Sequence, residues 1–529
     1  MIMIEFPRAM TKILTSQQMR AVDRTTIDEI GIPGPVLMEN AGLRVVAEIL
    51  RCFPDPARER MVVVAGKGNN GGDGLVVARH WRQRGGKPVV LLLAPKEEVK
   101  GDAALNLTAA EKSGVEVIDT STELCWRKQK TTLLHASVIV DAIFGTGLDK
   151  PAGGIYAAAI EGINKARGFK VAVDIPSGLS SDSFAVIGPV VKADLTVALA
   201  APKIGHIFAP ASEWVGRLVI VDIGIPRYLL EAPELKLSLT GPGDVRPMFA
   251  PRRRDGHKGT YGHLLVLGGS VGKTGAALLA GKAALRMGAG LVTVATAERA
   301  VAAVARGMME LMTEPLPETP AGTIAAEALP VIEKILKGKN GIVIGPGIST
   351  DPSTASLVAS LLPKLKVPAV IDADGLNIVA ERRDVLKKMT VPVVLTPHPG
   401  EFARLTGETI AEVLAKRLEM APAFAREHNV ILVLKGHRTI IAAPDGRVFV
   451  NPTGNPGMAT GGSGDVLSGM IGSMLVQSKD VLGAIRAAVY AHGLSGDQAA
   501  AKLGERSLLA GDLIRFLPAA VKSLEDAAR

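Results

Sequence analysis

A chain of 529 residues is too long for one hydrophobic core and must divide into at least two domains. Its 47% hydrophobic content includes no run of 18 apolar residues free of charge, which excludes a membrane-spanning helix, and its two cysteines, Cys52 and Cys125, exclude a disulfide framework. The formal net charge of +9 favours anionic partners, but the one dense basic run, PRRRDGHK at 251–258, has no interleaved aromatics, so nucleic acid is disfavoured.

The opening MIMIEFPRAMTK lacks an apolar segment followed by a cleavage site, and the chain is read as cytoplasmic. SQQMRAVDRTTIDE, near the start, reads as a helix. Strands are then expected at 61–65, 89–94, 138–142, 171–175, 195–200 and 218–223, with helical segments between them. Such alternation predicts an α/β fold with a parallel sheet.

The strand MVVVA runs into GKGNNGGDG, residues 66–74, whose Gly66, Gly68 and Gly71 satisfy a GxGxxG pattern. A dinucleotide fingerprint also expects an acid at the end of the next strand, and Glu97 in APKEE lies too far along. The Asn69–Asn70 pair is foreign to that fingerprint. Amide oxygens beside a carboxylate suit a hard cation, while glycine N–H groups suit a phosphate, so the loop is fitted to hold both. The strand-end segments DAIFGTGLDKP and DIPSG carry Asp141 and Asp174. One such aspartate is explained as a helix N-cap. Three acid-bearing loops, at Asp73, Asp141 and Asp174, can converge on one edge of a parallel sheet, where such folds bind ligands.

A proline- and charge-rich stretch at 226–256 marks a boundary, giving a first domain over 1–228, a linker over 229–240 and a second domain over 241–529. Strands resume at 263–269, 291–296, 341–347, 369–375, 393–401 and 431–436, and Asp445-Gly446 within TIIAAPDGRVFVN predicts a hairpin. GGSVGKTG at 268–275 is not a P-loop, because three residues rather than four separate Gly268 from Gly272. The pair Asp372 and Asp374 need not converge, since Asp374 falls in the turn beyond its strand. His492, on an apolar helix, is read as a core residue. GGSGD at 461–465 opens an apolar helix with successive glycine N–H groups, an anion hole. Asp465 there would repel phosphate; it is better suited to take a proton from a hydroxyl that attacks a phosphoryl group.

AGKGNNGGDG, VDAIFGTGLDKP and VDIPSGL, occurring in this order within residues 15–228, resemble the NAD(P)H-hydrate epimerases. That resemblance implies a Rossmann-like N-terminal domain that binds NADHX or NADPHX together with potassium. Asn70, Asp141 and Ser177 would ligate the potassium. Asn69, Asn70, Gly71, Gly72, Asp73, Gly145, Thr146, Gly147, Leu148, Asp149, Lys150, Pro151 and Asp174 would contact the substrate. Asp174 would be the acid/base, with Asp149 or Lys150 as a candidate assistant.

HKGTYGHLLVLGGS, GPG at 345–347, DADGLN, TPHPGEF, LKGHRT and GNPGMATGGSGDVLSG resemble the ADP/ATP-dependent NAD(P)H-hydrate dehydratases. These imply a ribokinase-like C-terminal α/β domain. Lys435, Gly436, His437, Arg438, Thr439 and Gly464 would bind ADP or ATP, with magnesium. Ala276, Gly347, His398 and Asp465 would contact the hydrate, and Asp465 would be the base. The resemblance further implies a homo-oligomer. The competing readings are a small-molecule hydroxyl kinase and a non-catalytic N-terminal binding module.

Overall fold

The computed structural model describes residues 4–5, 11–148 and 150–526. Asp149 and most of the N-terminal segment read above for a leader therefore lie outside the described residues. The chain forms two compact units, residues 1–235 and 236–529. Among the described residues no helix is long and apolar enough to cross a membrane.

The first unit is built on β1 (Ile4–Glu5), β2 (Met61–Ala65), β3 (Val89–Leu92), β4 (Glu116–Asp119), β5 (Val138–Ala142), β6 (Phe169–Val173), β7 (Leu195–Leu199) and β8 (Arg217–Val221). They form an 8-stranded sheet in the order β1-β8-β7-β6-β5-β2-β3-β4. Every pairing in it is parallel. A parallel sheet covered on both faces needs apolar side chains on both, and alternate residues of β2 enter different cores. Met61, Val63 and Ala65 join one cluster with Leu75, Val77 and Trp81, whereas Val62 and Val64 join another with Ile160 and Ile163. The chain leaves β2 toward β3 on one side and returns to β5 on the other. This topological switch creates a crevice at the carboxyl ends of β2 and β5.

The second unit contains β9 (Leu237–Leu239), β10 (His263–Leu267), β11 (Leu291–Ala297), β12 (Met312–Leu316), β13 (Gly341–Ile344), β14 (Ala369–Ile371), β15 (Val393–Leu395), β16 (Ile431–Leu434), β17 (Ile440–Ala442) and β18 (Val448–Val450). Their order is β12-β11-β10-β13-β14-β15-β16-β17-β18-β9, with a second switch point beside β10. The Asp445-Gly446 hairpin joins antiparallel β17 and β18, and Gly446 takes the left-handed backbone the turn requires (φ 87°). β9 lies inside the stretch read as linker and pairs in parallel with β18.

Several expected strands end earlier than their apolar runs. AVIDADG stops at Ile371 because Ala373 is left-handed (φ 50°) and Asp374 begins a helix. The glycine-rich loop is also shorter than expected. Helix α1 (Asn69–Gln83) starts at the first asparagine, so Asp73 sits on a helix rather than in a loop. Gly71 makes this possible: a Cβ there would lie 1.9 Å from the carbonyl oxygen of Gly66. The edge strands β4 and β12 escaped the sequence reading because nearly all their side chains are exposed or only half-buried and their sequences, EVID and MTEPL, are not apolar runs.

In the second unit, helices α2 (Thr274–Arg286) and α3 (Ser463–Gln477) pack on the same sheet face as Leu264, Val266 and Val343. Gly469 allows the two helix backbones to touch, since a Cβ there would lie 2.1 Å from the Ala280 carbonyl oxygen. Gly469→Val should destabilise this unit by about 1–3 kcal/mol through forced separation of α2 and α3. The urea midpoint of the second unit measures this, and an unchanged midpoint would show that the helices separate freely.

Candidate active sites

The crevice of the first unit gathers the expected acids. Asp141, near the end of β5, accepts from Ser177 Oγ (2.6 Å) and Ser177 N (2.8 Å) on separate oxygens. Its carboxyl is pushed up to about 6, because burial outweighs these bonds. Asn70 donates from Nδ2 to the Phe144 carbonyl (2.9 Å), while its buried Oδ1 has no hydrogen-bond partner among the described residues. An orphaned amide oxygen in the same crevice as a buried carboxylate and a hydroxyl offers oxygen donors of the kind a hard cation takes.

Asn70 also packs on Gly145, whose missing side chain leaves 3.5 Å between an added Cβ and the Asn70 Cβ. Gly71, Gly72 and Asp73 are buried in the first turns of α1, whereas Asn69 is exposed. Thr146 is tied by its carbonyl to Ser181 Oγ (3.0 Å). Beyond it Gly147, Lys150 and Pro151 are exposed and Leu148 half-buried, with Gly188 packing against Pro151.

Asp174 follows β6 in a left-handed backbone conformation (φ 63°). Its cationic partner is Lys203 rather than Lys150. The Lys203 side chain is 1% exposed, and its ammonium donates to Asp174 Oδ1. Burial raises the Asp73 carboxyl well above the usual range, with the charges of Asp174 and Asp23 adding to the effect. Asp23 is likewise pushed up to about 6 by burial, against the pull of Lys203. Lys203 and Asp23 were missed in the sequence. The available signal was a lysine inside the apolar run ALAAPKIGHIF, just past a strand's carboxyl end.

The second unit encloses a cavity of about 690 Å³ lined by His398, Lys435 to Thr439, Gly464 and Asp465, among others. Asp465 lies in the first turn of α3, behind the left-handed Gly462 (φ 91°). Burial and the charge of Asp372 push its carboxyl up to about 7, with Lys435 opposing. Lys435 Nζ donates to Asp372 Oδ1 (2.8 Å) and stands 3.7 Å from Glu401 Oε2.

His398 caps the helix Pro399–Thr406. Its Nδ1 accepts from Gly400 N (3.0 Å) and Glu401 N (3.3 Å), which leaves the ring proton on Nε2, and burial holds its pKa down. Arg438, left-handed at φ 60°, donates to the Pro452 carbonyl, and Thr439 Oγ1 donates to the Gly436 carbonyl (3.1 Å). Burial pushes His437 down to about 4.

Ala276 and Gly347 do not line this cavity. They meet each other, since a Cβ on Gly347 would lie 3.2 Å from that of Ala276. Nearby, Asp374 accepts from Ser349 N (3.0 Å) and Lys273 Nζ (3.2 Å). Asp372 and Asp374 therefore serve different cations. Among the described residues no group of three or more His, Cys, Asp or Glu could hold a metal ion. His492, read as core, is buried but also lines the cavity, where Nε2 donates to the Ser463 carbonyl (3.0 Å) at the start of α3. Cys52 and Cys125 are free thiols.

A family model described as YjeF-related protein N-terminus matches residues 34–205, and one described as NAD(P)H-hydrate dehydratase matches residues 264–519. The bifunctional NAD(P)H-hydrate repair enzyme Nnr of Moorella thermoacetica is 47% identical over 97% of each chain. Its counterpart in Thermofilum pendens is 38% identical, again over 97% of each chain. A solved ADP/ATP-dependent NAD(P)H-hydrate dehydratase from Bacillus subtilis, co-crystallised with ATP/Mg2+, is 34% identical and covers 54% of this chain and 98% of its own, with a TM-score of 0.47.

Lys435 is mostly buried, with 19% of its side chain exposed, and stands between Asp372 and Glu401. Lys435→Met should therefore cost the second unit about 3–5 kcal/mol by leaving buried carboxylates without a cation. Urea unfolding checks this, and wild-type stability in the variant would count against a charge-neutralising role.

Proposed function

The chain belongs to the bifunctional NAD(P)H-hydrate repair enzymes, and from that premise we propose which residues of each unit do its work. The first unit epimerises the R and S forms of NADHX and NADPHX. The second dehydrates the S form to NADH or NADPH, converting ADP to AMP, or ATP to ADP, with release of phosphate. The observation that carries the reading of the second site is the meeting of Asp465, His398 and Lys435 in one cavity.

In the second site Asp465 takes the proton of the C6 hydroxyl. That oxygen attacks the terminal phosphorus of the nucleotide, and the anhydride bond breaks. The C6–O bond of the resulting phosphate ester then cleaves with loss of a neighbouring proton, which restores the dihydronicotinamide. A base whose pKa is raised toward neutrality is matched to this task. Lys435 to Thr439 and Gly464 hold the nucleotide, His398 and Asp465 meet the hydrate, and Ala276 with Gly347 extends the substrate surface along the neighbouring rim. Magnesium, when bound, would offset charge on the phosphates. With Asp372 and Glu401 already facing Lys435, it would enter with the nucleotide rather than at a dedicated protein cage.

In the first site, inversion at C6 requires the ring to open or lose water and then re-close. Asp174 exchanges the proton, and the segments 69–73 and 145–151 hold the substrate around it. Asn70, Asp141 and Ser177 would hold potassium, which would supply a fixed positive charge for an anionic ligand. The unpartnered Asn70 Oδ1 supports that assignment.

Asp465→Asn should abolish recovery of reduced-nicotinamide absorbance from an R/S hydrate mixture with ADP or ATP, while epimer exchange persists. Recovery that survives the change, or a stable phosphomonoester product, would overturn the assignment. Because Asp465 must be ionised to accept the proton, dehydration should slow as pH falls through about 7, and a rate flat from pH 5 to 8 would contradict it. Potassium should raise the melting temperature of the first unit relative to tetramethylammonium at equal ionic strength. Asn70→Ala should remove that difference, and its persistence would exclude Asn70 as a ligand.

A further inference from the structure

The contact between Lys203 and Asp174 fixes more than charge balance. Asp174 Oδ1 accepts from the Lys203 ammonium and from Leu199 N (3.0 Å). Lys203 Nζ also donates to the Leu199 carbonyl (3.1 Å), so both side chains are anchored to the last residue of β7. The Lys203 backbone N–H donates to His206 Nδ1 (3.0 Å), which closes the short turn that carries the lysine. Among the described residues Asp174 Oδ2 accepts no hydrogen bond, although the side chain is largely buried at the crevice. One carboxylate oxygen is thus held by two donors, and the other is left without a donor among the described residues.

The charged and titratable groups facing Asp174 are Lys203 and His206 from the loop after β7, Asp73 from α1 and Asp23 from the helix Ser16–Arg24. Burial and the neighbouring ammonium push His206 down to about 3, so its ring is neutral and adds no positive charge. Among the described residues Lys203 is therefore the cation of this cluster, and its bonds select the oxygen of Asp174 that remains available.

We propose that Lys203 is a positioning residue for epimerisation: by holding Asp174 Oδ1 against the end of β7 it leaves Oδ2 as the oxygen that exchanges the proton with the substrate. This rests on the assignment of Asp174 as the acid/base of the first unit. The proton passes between the substrate and Oδ2 in each direction, so nothing is consumed and no co-reactant is needed. Lys203 keeps its own protons on the bonds to Asp174 and Leu199.

The test follows epimer exchange from the pure R hydrate, without nucleotide, in the full chain. Lys203→Ala should lower kcat by about 100-fold and leave KM within about threefold, because the lost group acts through Asp174 and not on the bound substrate. Propylammonium should restore part of kcat, whereas propan-1-ol, which has the same shape without the charge, should not. Equal rescue by both would make Lys203 a space-filler and overturn the proposal. Lys203→Met keeps the length of the stem and so separates loss of the charge from loss of packing, and a melting transition well above the assay temperature shows that the variant is folded. It should lose kcat similarly, and unimpaired exchange would also overturn the proposal. Asp174→Asn separates the two levels. If it is inactive while Lys203→Met is fully active, only the positioning role fails. If Asp174→Asn exchanges epimers at the unmodified rate, the acid/base assignment fails as well.

Discussion

In each unit several buried carboxyl groups crowd around one lysine-bound carboxylate, and the properties of both rims follow from that burial and crowding. Lys203 is bonded to Asp174 while Asp73 and Asp23 lie within electrostatic reach. Lys435 is bonded to Asp372 while Glu401 and Asp465 stand close by. Burial removes the water that would stabilise a charged carboxylate, nearby carboxylates add to that cost, and the single ammonium opposes it only in part. Burial first, and neighbouring carboxylates second, raise Asp73 well above its usual range, Asp23 to about 6 and Asp465 to about 7. A group that holds its proton near neutrality is the kind that proton-transfer chemistry requires.

Such clusters need a scaffold that brings strand ends together without filling the space between them. Parallel sheets with a switch point leave a crevice where adjacent connections diverge, and the glycines bring backbone close to backbone around it. Gly66 is closed in by the Ile143 carbonyl, with 2.2 Å to an added Cβ, and Gly345 by the Asp372 carbonyl, with 1.8 Å. These approaches join the loops after β2 and β5 in one unit and those after β13 and β14 in the other. The rims are therefore fixed by main-chain packing, and the titratable side chains are mounted on a surface with little freedom to drift.

The central strands were legible because a buried parallel strand shows as an uninterrupted β-branched run; MVVVA and VIVDA both begin and end where expected. Edge strands were not legible, because EVID and MTEPL face solvent and lack the pattern that burial imposes. The acids on strand ends stood out, since a carboxylate after an apolar run is conspicuous. What neutralises them did not. Lys203 lies far from Asp174 in sequence, and only the sheet order β5-β6-β7 makes the strand ends neighbours. Lys435 was found through its motif, but its bond to Asp372 depends on β14 and β16 flanking β15. Local pattern thus reveals which residues are unusual, whereas topology decides which of them compensate one another.

The two clusters also differ in a way that suits their reactions. Epimerisation is reversible, and the group that gives a proton in one direction must recover it in the other. If Asp174 is the acid/base proposed, carboxyls of raised proton affinity, Asp73 and Asp23, around its one fixed oxygen would hold the proton at either stage. Dehydration is driven by cleavage of a phosphoanhydride and needs a base in one direction. There the cavity presents Asp465 at the positive end of α3, a helix start suited to anions, with the Lys435 ammonium beside it to oppose accumulating negative charge. On the proposed assignments, the same crowding of buried carboxyls around one ammonium serves opposite requirements: proton storage where the carboxyls surround the oxygen assigned to the reaction, and one-way proton removal where a nucleotide supplies the driving force.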